Sequence, residues 1–101
     1  MTTIEEITAK IDALTLDLLG PLRMSKTINH GALAKLTEAL DALGPLLEPE
    51  TMISKSLAGK LWFIFTSMLS EAEHARSNRE QIEIVAWDIQ ERLRRLFEPR
   101  F

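Results

Sequence analysis

Apolar residues recur three and four positions apart along almost the whole of this chain. Ile4, Ile7, Ile11, Leu14 and Leu18 form one such series, and Leu33, Leu36, Leu40 and Leu43 a second. Leu57, Leu61, Ile64, Phe65, Met68, Leu69 and Ala72 form a third; Ile82, Val85, Ile89, Leu93 and Leu96 form a fourth. That spacing lines one face of an α-helix, whereas a half-buried strand alternates with a period of two. Each stripe must be buried against another, so an all-α fold is expected.

Local signals suggest where the helices begin and end. Thr3 followed by Glu6 matches a capping box, in which a hydroxyl and a carboxylate satisfy free amides of the first turn. Asn29 is placed to cap the second helix. Gly20-Pro21 and Gly44-Pro45, each inside the repeated "LGPL", predict stops, because Gly tolerates a left-handed cap and Pro cannot continue the hydrogen-bond ladder.

The second half is harder to divide. No Gly or Pro occurs between Lys60 and Glu98, and a heptad runs from Leu61 through Phe65, Met68, Ala72 and Ala75 on to Leu96. A single long third helix, continuous through residue 77 in a swapped or coiled-coil dimer, is therefore an alternative. Such a helix would reach nearly 70 Å at about 1.5 Å per residue, against roughly 25 Å for each of the first two. Its middle, "EAEHARSNREQ", is polar, and Ser77 and Asn78 are good N-caps with Glu80 and Gln81 three positions on. The expectation is a single domain over 1–101: a compact antiparallel four-helix bundle with helices at about 3–19, 29–43, 50–76 and 78–97.

A chain of 101 residues, 46% hydrophobic and 27% charged, is composed like an ordinary soluble globular domain. It has no cysteine, and its acidic, amphipathic start does not resemble a signal peptide, so a cytoplasmic setting is expected. The uncharged run from Leu61 to Ser70 is about half of what a bilayer span requires. No membrane partner is expected.

Within that run, "LWFIFTSML" places apolar side chains outside the core stripe. Phe63 lies roughly opposite it among Ser56, Gly59, Thr66, Ser67 and Ser70, and Trp62 lies at its flank. Small residues let a second helix approach closely, so this helix is expected to be gripped on two sides. On the fourth helix Ile84 and Trp87 point about 150° from the core stripe, among Glu80, Glu83, Glu91 and Arg94. A large apolar pair ringed by charges resembles an interface centre with a polar rim. Trp62, Phe63, Ile84 and Trp87 are thus candidate interface residues of a homodimer, with a further, unidentified protein partner also conceivable.

Chemistry is sparse. The chain has no Cys, no Tyr and two His, no glycine-rich phosphate loop and no serine nucleophile signature, so no catalytic residue, no cofactor and no enzymatic activity are expected. His30 is placed in the first turn of the second helix. Glu71-Ala-Glu-His74 resembles half of the di-iron motif of ferritin-like bundles, since Glu and His at i, i+3 share a helix face. That resemblance makes Glu71 and His74 candidate metal ligands of an oxidoreductase or metal-binding protein. The second Glu-x-x-His that such a site needs is missing from one chain. Net charge is −3, but Arg92, Arg94, Arg95 and Arg100 gather near the C-terminus. They are candidate phosphate contacts of a nucleic-acid-associated regulator, although cations also collect at helix C-termini because the macrodipole favours them there. The leading expectation is a small helical protein acting through protein–protein interaction; nucleic acid is not an expected partner.

Overall fold

The computed structural model of the chain describes residues 2–98, and all regular structure among them is α-helical. The helices are α1 (Ile4–Ser25), α2 (His30–Leu47), α3 (Lys55–Glu73) and α4 (Arg79–Phe97). α1 pairs closely with α2 and α3 with α4, giving two antiparallel hairpins; α1 also packs on α3, and α2 on α4. Going round the bundle the order is therefore α1, α2, α4, α3, with α1 and α4 on one diagonal. The expected four-helix bundle is present, and a continuous helix through residue 77 is absent.

Between the hairpins the neighbouring helices run parallel. Asp12 meets Lys60 at 2.8 Å, and Lys26 pairs with Glu71, so residue numbers rise together along α1 and α3. On the other side Asp41 pairs with Arg92, joining α2 to α4. The core holds no buried polar or charged side chain among the described residues. Leucine and isoleucine pack adaptably, so these rim charges are the directional contacts that can favour this helix order over others.

Both Gly-Pro pairs lie inside helices, not at their ends. Proline's Cδ clashes chiefly with the Cβ and amide of the preceding residue in the helical region. Glycine has no Cβ, so Gly20 and Gly44 remove part of that clash and let the helix run on. Pro21 still leaves the Asp17 carbonyl without its i+4 amide. Asn29 fills the gap: its Nδ2 donates to that carbonyl at 3.3 Å, while its Oδ1 caps α2 by accepting from the Ala32 amide at 3.1 Å. Continuing past the prolines buries Leu22 and Leu47, which offsets the cost. α1 ends instead at Lys26, whose left-handed backbone (φ 55°) aims its amide at the Leu22 carbonyl, 2.9 Å away.

Other boundaries differ too. α3 begins at Lys55 and not near residue 50, because Ser54 accepts from the Leu57 amide at 3.0 Å. It stops at Glu73: His74 and Ala75 bond back three residues, to Glu71 and Ala72, which tightens and closes the last turn. Thr3 caps α1 as expected, accepting from the Glu6 amide at 3.2 Å. Asn78 occupies the N-cap position of α4 but makes no side-chain cap bond; its Nδ2 donates to the Lys26 carbonyl and ties the two hairpin turns together.

Two stability predictions follow from these helix interiors. Asn29→Ala removes the α2 cap and the partner of the Asp17 carbonyl, and is expected to cost about 1–2 kcal/mol in denaturant unfolding. Part of that loss should vanish in a Pro21→Ala background, where an amide returns to Asp17. A Cβ at Gly59 would meet nothing within 4 Å. Gly59→Ala should therefore raise stability by about 0.5–1 kcal/mol. Gly20→Ala should gain less, because its Cβ would crowd Pro21; equal shifts in thermal midpoint would contradict that account of the Gly-Pro pairs.

Candidate functional site

The off-stripe aromatics fall on two different flanks of α3. Trp62 and Trp87 each lie 5.8 Å, centroid to centroid, from the ring of Phe65, which is itself 6% exposed. The two indoles roof the α3–α4 seam and remain half in solvent, at 47% and 49%. Ile84, one turn before Trp87 on α4, is 62% exposed. Offset and edge-on aromatic contacts of this kind fix ring positions. This face is consequently an exposed apolar ridge built on Phe65.

Phe63 faces the other neighbour. The guanidinium of Arg23 on α1 sits 5.5 Å from its ring centroid, a cation–π contact. α1 and α4 are the two neighbours of α3 round the bundle, so Phe63 faces the α1 side while the Trp62–Trp87 ridge lies on the α4 side. α1 and α4 both pack on α3, but the expected second grip is absent among the described residues: Ser56, Gly59, Phe63, Thr66 and Ser70 are exposed, and nothing approaches Gly59 within 4 Å of a Cβ position. Leu16, Met24 and Met52 are also strongly exposed. Single exposed apolar residues of this kind are common on protein surfaces.

The rim of the ridge is made of short-range ion pairs. Arg79 bonds Glu83 at 2.7 Å, and Arg94 reaches Glu91 at 2.7 Å and Glu98 at 3.1 Å. The hydrogen bond from Arg94 holds the Glu91 carboxyl below its usual range, and Glu91 in turn raises Arg94. A depressed carboxyl favours the folded state at neutral pH, an effect lost as pH falls through its lowered value. Both side chains keep about half of their surface in solvent, which screens the effect.

The other candidates are already engaged. Arg92 pairs with Asp41 and, at 3.0 Å, with Asp88; these hydrogen bonds raise its pKa further. Arg95 lies 3.5 Å from Glu91. The Arg92, Arg94 and Arg95 side chains thus meet carboxylates of their own chain, and Arg100 lies outside the described residues. Glu71 is bound by Lys26, and the Nδ1 of His74 contacts the Ser70 carbonyl at 2.8 Å. The two candidate metal ligands thus have separate partners. Among the described residues no group of three or more His, Cys, Asp and Glu converges as metal ligands would.

Each end of the bundle carries an open cleft. One, of about 620 Å³, lies between the two hairpin turns and is lined by His30, His74, Lys26 and Arg76 with polar neighbours and no carboxylate. The other, of about 780 Å³, is lined by Glu48, Glu50 and Glu98 with Arg95 and apolar side chains of the 47–53 segment. No local motif announces the first, because its residues come from two segments far apart in the chain, 25–30 and 74–81, that only the fold brings together.

Among the described residues no helix is long and apolar enough to cross a membrane. No family model matches this chain, and no curated protein or solved structure is significantly similar to it.

Proposed function

We propose that this chain is a cytoplasmic helical protein that works by protein–protein association, forming a homodimer through its α3–α4 face. The ridge of Trp62, Trp87 and Ile84 carries the reading: it is apolar, its two indoles pack on Phe65, and no other described residue covers its exposed part. Its charges favour a second copy as the occupant. Glu80, Ile84, Trp87, Glu91, Arg94 and Glu98 follow one another at spacings of four and three, a second helical seam on the outside of α4. Glu80 and Arg94 stand seven residues either side of Trp87. An antiparallel pairing of two α4 helices about Trp87 sets each Glu80 level with the other copy's Arg94, which is the arrangement a two-fold axis requires. The existing rim pairs are exposed and weak enough to exchange partners.

Sedimentation equilibrium tests this directly. At tens of micromolar the expected mass is twice the 11.5 kDa of the chain. A monomer at that concentration rules the homodimer out.

A further inference from the structure

We propose that the cleft between the two hairpin turns binds a small phosphoryl-type oxyanion. This cleft is separate from the α3–α4 ridge, and the inference does not depend on self-association. Four cationic or protonatable side chains line it: His30 from the first turn of α2, His74 from the end of α3, Lys26 from the first hairpin turn and Arg76 from the second. These include both histidines of a chain whose net charge is −3, and no carboxylate lines the space.

Helix dipoles do not decide its sign. α2 and α4 begin at this end while α1 and α3 finish there, so their partial charges oppose one another. The side chains decide it. Arg76 makes no ion pair or hydrogen bond with any described residue and is exposed, so its planar fork is free to hold two oxygens of one anion. Lys26 is partly neutralised by Glu71, which lies behind it. His74 contacts the Ser70 carbonyl through Nδ1, and a carbonyl only accepts, so that nitrogen carries the proton. The remaining Nε2 accepts from a P–OH when the ring is neutral and donates to a phosphoryl oxygen when it is charged. Ser77 and Thr27 add hydroxyls to the lining. A divalent metal would suit two imidazoles, but Arg76 and Lys26 repel it and no third ligand converges.

The arrangement matches a tetrahedral, multiply charged oxyanion such as a phosphate ester, better than a single carboxylate. The test uses the full chain, with inorganic phosphate, pyrophosphate, sulfate, acetate and zinc chloride each titrated at constant ionic strength. The imidazole C–H resonances of His30 and His74 report on the cleft. Phosphate and pyrophosphate are expected to give saturable shifts at both rings, with pyrophosphate the tighter. Arg76→Ala should weaken binding about tenfold by removing a charge-assisted pair. Glu71→Gln should tighten it several-fold, because it frees the Lys26 ammonium, an effect that loss of structure would not produce. Absence of saturation, equal affinity for acetate, indifference to Arg76→Ala, or zinc binding without phosphate binding would each overturn the proposal.

Discussion

Leu22→Ala is expected to lower the stability of this protein by about 2–5 kcal/mol, the range for a buried leucine truncated to alanine. Leu22 is 0% exposed although it directly follows a proline and lies close to the end of α1. Its burial depends on α1 continuing through Gly20-Pro21. If the helix stopped there, residue 22 would sit in a surface turn, and its truncation would fall within the roughly ±0.5 kcal/mol typical of exposed sites. Met24, two residues on and 90% exposed, is the control: Met24→Ala should change little. For a domain of this size each kcal/mol moves the thermal midpoint by about 4–8 °C, so the difference is readily measured. A Leu22→Ala cost below about 1 kcal/mol would mean that α1 ends near Pro21 after all.

The contrast between Leu18 and Leu22 shows how far the sequence could be read. Periodicity located all four helices and most of the core, because a stripe such as Ile7, Ile11 and Leu18 is a property of one segment alone. Proline's local preference is equally legible, but whether it ends a helix depends on a sum. Pro21 loses one backbone bond; Asn29, twelve residues beyond Asp17, supplies the missing donor, and Leu22 and Leu19 supply the burial. Neither compensation is visible from the dipeptide. Asn78 failed in the opposite way: its sequence context suits a cap, yet the Lys26 carbonyl of the other hairpin takes its side chain.

The candidate site was legible in part for a related reason. A helical wheel shows that Trp62, Phe63, Ile84 and Trp87 leave the core stripe, but not which neighbours they meet. That depends on the order of the helices round the bundle. With α1 and α4 as the two neighbours of α3, Trp62 and Trp87 both pack on Phe65 at the α4 side while Phe63 goes to Arg23 on α1. Long-range pairing is equally invisible in a local motif: Glu71 finds Lys26, 45 positions away in sequence. The cationic cleft was invisible because His30, Lys26 and Arg76 share no local motif.

Ile84→Glu is expected to convert the dimer to a folded monomer. The side chain is 62% exposed, so a carboxylate there costs the monomer little. In the dimer it would place a charge at the centre of an apolar contact, where desolvation without a partner is severe. Two-fold symmetry introduces the charge twice, which makes dissociation by at least a hundredfold in Kd a reasonable expectation. Trp87→Glu should also give monomer but with some loss of stability, because half of the indole covers Phe65. Phe63→Glu provides the contrast. Its ring belongs to the α1 flank, so association should persist, although the Arg23 contact is replaced by an ion pair. Sedimentation of the three variants, each checked for helicity and unfolding midpoint, separates the outcomes. If Ile84→Glu remains dimeric, the α3–α4 ridge is not the interface; if only Phe63→Glu dissociates, the contact lies on the α1–α3 side instead. If Trp87→Glu unfolds while Ile84→Glu is an intact dimer, the indoles serve the core alone, and the exposed half of the ridge has no role in self-association.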